Sequence, residues 1–492
     1  MARPQLDLIA EVRHLALDVQ RIAAGSDVAG AVDAIVARLD EPLRLAIVGR
    51  VKAGKSTLLN ALVGERLAPT DAGECTRIVT WYRHALGYEV SAVRRAGGRS
   101  ALPFRREDGV LRIDAGDMPL ESIERIDVGW PAQRLVDLTI IDTPGLGSID
   151  DRSSERTSSA LLDRGEGPGQ ADAVLYLMRH LHRSDAQFLE AFIERSIAHA
   201  SPVNAVVVLS RADEIGAARP DALASARSIA ERYAADPRVR DLASGVVPIA
   251  GLLAETGATL RQEQYDWLSA IARLDAQARD DLLLSVDRFR DPERSPLATD
   301  IREELLERFG LFGLRLAVGW MAAGAVSSAT QLSRALIDAS GIRELQRLLA
   351  DRYGARADVL KARSALAALR AAVERLERDR VAGAAELVRA IDRLEAESGD
   401  LALLRLQHLV QSGRIELPAD EESEVARLSV SGSPAERLGL PLDADAADVR
   451  DAAIAAIERW RAVAGNPLSD RPLVEASEIV SRAYEQIHAA IG

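Results

Sequence analysis

LRLAIVGRVKAGKSTLLNALVG, residues 43–64, is the stretch on which the fold turns. The largely apolar run from Leu43 to Gly49 predicts a buried strand, and the residues from Lys55 onward predict a helix. Between them GRVKAGKS, at 49–56, satisfies the phosphate-loop pattern in the strand–loop–helix context its mechanism demands. Gly49 and Gly54 let the backbone curl, so that N–H groups of the loop through Val51, Lys52 and Ala53 face phosphate oxygens. The following helix presents the positive end of its dipole to the same anion. Lys55 is placed to reach the outer phosphates, the Ser56 hydroxyl to take one Mg²⁺ position, and Thr57 to border the nucleotide. The bland alternative is a Gly-rich turn with an accidental Lys-Ser; further elements in the right order argue against it.

The first of these is DTPG at 142–145, closing the apolar strand LTIID. There Asp142 can hold magnesium through water, and the Gly145 N–H can approach a terminal phosphate with no side chain in the way. Upstream, PTDAGECTRIVT at 69–80 supplies a threonine for the metal and the terminal phosphate; Thr76 is the candidate, with Thr70 and Thr80 as rivals. SRAD at 210–213 follows the strand AVVVL and addresses the base. Asp213 can accept two hydrogen bonds from guanine N–H groups, a pairing adenine does not offer, which selects GTP and GDP over their adenine counterparts. Ser210 and Arg211 stand where Asn or Thr and then Lys are usual, and Arg211 can lay its stem and planar head along the purine. In the last loop, VVPIAG, Ala250 and Gly251 are the candidate base contacts.

Outward from the loop, the chain divides by pattern. Residues 1–41 hold two helical patterns, expected to pack with a helical bundle. Over 42–258 short Val/Ile-rich runs alternate with helical stretches, the mark of a mostly parallel α/β sheet, with extra hairpin strands around YEVSAVRR and GGRS. Over 259–412 the pattern changes to long helices at 261–288, 298–308, 314–337, 341–376 and 383–397, read as a bundle or stalk; Leu366, Leu369, Val373 and Leu376 form one stripe. The Ser/Glu/Pro-rich stretch 413–434 reads as a linker, and 435–492 as a small three-helix unit. The fold class is therefore an α/β phosphate-loop head with a helical stalk and a small helical C-terminal unit.

Composition narrows the partners. A formal net charge of −13 argues against a chain that wraps nucleic acid, and the lone Cys75 excludes an internal disulfide and a multi-cysteine zinc site, which fits the cytoplasm. His180 and His182 lack a ligand set at metal spacing and read as rim residues beyond a strand. The most apolar stretch, FGLFGLRLAVGWMAAGAV at 309–326, is interrupted by Arg315 and four glycines, and reads first as a buried helix of the stalk, then as an interfacial membrane segment. The turn ERDRVAGA near 377–384 is a second candidate for contact with anionic lipid.

The run GRVKAGKSTLLNALVGERLAPTDAGECTRIVTWY, with DTPGLG and ADAVLYLMRHLH, resembles the bacterial dynamin-like GTPases, nearest to the shorter member of the actinobacterial isoniazid-inducible pair. The resemblance implies GTP hydrolysis to GDP and phosphate, pairing of heads with itself or a related dynamin-like protein, and peripheral binding or remodelling of a membrane, here the inner face of the cell membrane. A GTP-controlled switch or scaffold that never deforms lipid is the alternative. Where eukaryotic dynamins carry Gln-Ser in the phosphate loop, this chain has Val51 and Lys52. Lys52 matches the place of an arginine finger in guanylate-binding proteins and atlastins, so it is either a catalytic cation or a solvated lysine of the loop rim. The segment ERLGLPLDADAADVRDAAIAAIERW, with EASEIVSRAYEQIHAAI, resembles a J-domain without its His-Pro-Asp motif, which leaves a docking or structural role.

Overall fold

Strand β1 (Leu43–Gly49) is buried along nearly its whole length, because it runs through the middle of a sheet covered on both faces. The computed structural model describes residues 8–68, 78–107, 110–114, 116, 118–144, 171–179, 205–240, 242–429 and 432–491. Within them lie β2 (Val79–His84), β3 (Glu89–Arg94), β4 (Arg99–Ala101), β5 (Phe104–Glu107), β6 (Val110–Ile113), β7 (Ile123–Trp130), β8 (Leu138–Asp142), β9 (Ala173–Met178), β10 (Ala205–Ser210) and β11 (Val246–Ile249). Nine of these strands form one sheet in the order β11-β10-β9-β1-β8-β2-β7-β3-β4. From β11 to β8 all neighbours are parallel; β2 then runs antiparallel to β8, and β3 and β4 complete an antiparallel edge. The extra hairpin expected around GGRS is β3–β4, turned by Gly97 and Gly98, both with positive φ.

The helices following the sheet are shorter than the periodicity predicts. The single helix expected over 261–288 is three, Gln262–Ala272, Ala276–Leu282 and Val286–Arg290, because the side chains of Asp275 and Ser285 accept from Ala278 N and Arg288 N and restart the chain. The reverse holds for 298–308 and 314–337: one helix, Thr299–Ala322, runs through a kink at Gly310 (φ 59°, ψ 171°), and Ser328 caps a new one at Ala329–Ala339. The helix expected over 341–376 breaks at Tyr353 and Gly354 into Ile342–Arg352 and Ala357–Arg378.

The apolar stretch 309–326 is buried, but its partner is the head. Phe309, Phe312, Leu314 and Ala317 share one core with Ala212, Ala250 and Leu253. Contact is close enough that a Cβ on Gly313 would lie 2.8 Å from Leu253 Cδ2. Arg315, the charge interrupting the run, gives its guanidinium to the carbonyls of Leu283 (2.9 Å), Ala218 (2.8 Å) and Leu284 (2.8 Å), so it sits within the fold with no carboxylate partner among the described residues. Among the described residues no helix is long and apolar enough to cross a membrane.

Two further cores complete the chain. Helices Leu8–Ala23 and Ala29–Arg38 pack Val12, Val19 and Ile35 against Leu366, Leu369, Val373 and Leu376 of Ala357–Arg378 and against Leu387 and Ile391 of Ala384–Glu397. Each such fully buried aliphatic side chain contributes roughly 1.5–3 kcal/mol. The stripe read from the sequence is thus the seam of the bundle. The stretch 413–434, expected as a linker, contains the helix Ala419–Leu428, whose Val425 and Leu428 join the core of Gly399–Gln411, Ala446–Ala464 and Arg471–Ile491.

Candidate nucleotide site

The parallel strands end side by side, and the phosphate loop leaves β1 at that edge. Gly49 is required by packing: a Cβ there would lie 2.5 Å from the carbonyl oxygen of Leu177 on β9. Gly54 has φ 92° and opens the helix Lys55–Val63, while Lys52 holds a positive φ of 62° without being glycine. Lys55 Nζ folds back over the loop onto the carbonyls of Gly49 (3.2 Å) and Arg50 (3.4 Å). Burial lowers its pKa and the Asp142 carboxylate opposes that shift.

Asp142 ends β8 opposite Ile47 of β1, which brings its Oδ2 within 3.5 Å of Ser56 Oγ. Its Oδ1 is shut off from solvent and has no hydrogen-bond partner among the described residues. Burial pushes the carboxyl up to about 6, against the pull of Lys55, Ser56 and the Thr143 N–H. A buried, unpaired carboxylate oxygen beside a serine hydroxyl is a donor set of the hard, oxygen type that Mg²⁺ takes together with phosphate oxygens and water. Ser56 and Asp142 therefore fit the metal, which when bound would offset the charge of the phosphates.

Farther along the same edge of the sheet, Ser210 closes β10 with its Oγ on Met178 O (3.1 Å). Arg211 stands in the left-handed region (φ 55°) and sends Nη2 to the carbonyl of Lys52 at 3.2 Å, while Nη1 pairs with Glu214. Asp213 is 7% exposed; burial raises its pKa, with Glu214 adding to the shift and its own backbone N–H and Arg211 opposing it. Asp213 faces an open cleft whose walls also include Gly54, Thr57, Ser210, Gly251 and Leu252. Gly251 is a wall residue, whereas Ala250 lies beneath it, fully buried, with its N–H donated to Ser340 O at 2.9 Å.

The structure brings Gly49, Lys52, Ala53, Gly54, Lys55, Ser56, Thr57, Asp142, Ser210, Arg211, Asp213 and Gly251 to one edge, with Val51 exposed on the loop crest. Thr76, Thr70, Gly145, Cys75, His180 and His182 lie outside the described residues. Thr80, the rival to Thr76, is buried on β2 opposite Asp142, with its hydroxyl donated to Ile78 O at 3.4 Å. Two contributors escape sequence reasoning: Leu252, in no motif, and Arg179, which follows β9 and reaches Lys52 O.

Loop, sheet order and helical bundle together define a phosphate-loop GTPase head carrying a helical stalk. Residues 45–210 match the family model described as the Dynamin family, a family of GTPases. The chain is 39% identical over 495 residues to the isoniazid-induced protein IniC of Mycobacterium tuberculosis, covering 98% of each. A bacterial dynamin-like protein of Nostoc punctiforme is 30% identical over 122 residues, 22% of this chain and 18% of that one. A solved chain described as an oligomerised bacterial dynamin pair shares 12% identity at a TM-score of 0.30, over 99% of this chain and 77% of that one. The chain belongs to the dynamin family, among its bacterial dynamin-like proteins.

Proposed function

We propose that this chain binds GTP with Mg²⁺ and hydrolyses it to GDP and phosphate. The observation that carries the reading is a pair of carboxyl groups at one edge of the sheet: Asp142, which ends β8 beside Ser56 with one oxygen shut off from solvent, and Asp213, buried beyond β10 in the wall of the cleft. Each is held at an energetic cost that a matching ligand removes, a hydrated cation at one end and guanine N–H groups at the other. Lys55 binds the outer phosphates, Ser56 and Asp142 hold the metal with Thr76, and the Gly145 N–H meets the terminal phosphate. Lys52, on the crest of the loop, supplies positive charge as the terminal phosphate departs to water.

Membership of the dynamin family supports coupling of this cycle to self-association, or association with a related dynamin-like protein, and to peripheral binding at the inner face of the cell membrane. A second reading, a GTP-controlled switch that binds a protein partner without deforming lipid, draws on one observation. Arg378, Asp379 and Arg380 at the bundle's turn are exposed with mixed sign, and no large apolar side chain is exposed beside them among the described residues.

The test is phosphate release from GTP and from ATP with Mg²⁺, with and without anionic liposomes pelleted in the same tubes, and Lys55→Ala as the blank. GTP-selective release that is lost in the variant, with sedimentation on liposomes, supports the membrane reading. Release without sedimentation favours the switch, and a preference for ATP refutes the role given to Asp213.

A further inference from the structure

The carbonyl of Lys52 accepts from two guanidinium groups that come from two different strands. Arg179 Nη2 lies 3.1 Å from it and Arg211 Nη2 3.2 Å. The convergence follows from the sheet. Leu177 of β9 is paired with Gly49 of β1, and Met178 with Leu209 of β10, so the residues just beyond β9 and β10 meet at the mouth of the phosphate loop. Arg211 has a carboxylate, Glu214; Arg179 has none among the described residues and is solvent-exposed, so its contact with the loop is its recorded polar anchor.

The peptide unit so held is an unusual one. Lys52 carries a φ of 62°, a conformation side-chain-bearing residues rarely keep without restraint. On the other side of the same peptide, the N–H of Ala53 is donated to Arg50 O at 3.1 Å. The Lys52–Ala53 peptide is thus fixed at both ends, its carbonyl by two cations and its N–H by the start of the loop. Neighbouring amides of a phosphate loop are useful only while they face the anion, and a flip of this peptide would turn one of its dipoles around.

We propose that Arg179 is a positioning residue for the nucleotide, acting with Arg211 as a two-arginine clamp that keeps the Lys52 peptide oriented so that the loop is preformed for phosphate. The clamp acts on the cradle and not on the terminal phosphate, so it supports guanine di- and triphosphates equally. This rests on the GTP reading given above.

The test uses the full chain with Arg179→Ala and Arg179→Lys, a fluorescent guanine nucleotide to obtain Kd for GTP and GDP, and steady-state kcat and KM. Arg179→Ala is expected to weaken GTP and GDP alike by about 5- to 10-fold, the scale of an exposed charge-assisted hydrogen bond. Arg179→Lys, which keeps a donor of similar reach, is expected to lose less. Wild-type affinity in the alanine variant overturns the clamp, as does a lysine variant no better than alanine. A loss confined to GTP overturns it in favour of direct contact with the terminal phosphate. If the folded wild-type chain binds no more guanine nucleotide than Lys55→Ala, the GTP reading itself fails.

Discussion

Two acidic side chains, one in the head and one in the C-terminal unit, are treated by the fold in opposite ways. Glu424, from the helix Ala419–Leu428, is 6% exposed and fully served by its own chain: Oε1 accepts from Trp460 Nε1 at 3.0 Å and from the Tyr484 hydroxyl, and Arg459 reaches both oxygens. Burial, reinforced by the Glu424 carboxylate, pushes the Tyr484 phenol well above its ordinary range, so it stays a donor. Asp142 has Lys55 and Ser56 nearby, yet one of its oxygens is sealed off with no partner among the described residues. The difference separates a carboxylate that builds structure from one that, on the proposed reading, is kept for a ligand. In the first the chain supplies a donor to each oxygen; in the second the described residues leave one oxygen without.

The largest effect that could break this contrast is at Lys55. Lys55→Ala should reduce GTP hydrolysis by at least ~100-fold, the scale of losing a charged phosphate ligand, and phosphate release should show it with the melting temperature little changed. Glu424→Ala should act the other way, leaving GTP affinity intact while costing roughly 2–4 kcal/mol, because Arg459, Trp460 and Tyr484 all lose their acceptor. Hydrogen exchange over 446–491 should rise in that variant, and protection equal to wild type would deny Glu424 its structural role.

Asp142→Asn should sharpen the comparison by stabilising the nucleotide-free chain while abolishing magnesium-dependent hydrolysis. The sign follows from the raised pKa. A carboxyl lifted from 3.8 to about 6 favours the folded state only while protonated. Its contribution is complete below the unfolded value and is lost as pH rises through 6. Relative to wild type the asparagine variant should therefore gain roughly 1–3 kcal/mol at pH 7.5, and little at pH 4, as read by chemical denaturation. The smallest effect is expected at Lys52: alanine there should lower kcat by about fivefold, ~1 kcal/mol of barrier, and an unchanged kcat would return Lys52 to a solvated rim residue.

Much of the site was legible because backbone geometry allows few residues at its key points. Gly49 meets a carbonyl that excludes any Cβ, Gly54 requires a left-handed turn, and Asp142 must end a strand beside β1. The sheet was legible for a similar reason, since strands buried on both faces must be apolar throughout. What escaped depends on partners distant in sequence. Nothing in the residues around Arg179 announces that β9 delivers it to Lys52, and nothing in 309–326 names the head as the surface that covers it. Helix ends near Asp275 and Ser285 were hidden because a single Asp or Ser within a helical pattern looks like any other surface residue until its side chain is seen to cap.

The helices Leu8–Ala23 and Ala29–Arg38 find their partners more than three hundred residues later, in Ala357–Arg378 and Ala384–Glu397. On the ribosome, at about 5–20 residues per second, those amphipathic faces wait roughly 20–70 s before the surface that covers them has been made. The strands and the loop of the head lie within one continuous stretch and are made earlier, although the core of the sheet also takes Ile342, Leu345, Leu360 and Leu404. Assembly of the stalk is thus the late event in the life of the chain. Until it occurs the opening helices present an uncovered apolar stripe to everything around them, which makes this segment the natural client of a chaperone during synthesis.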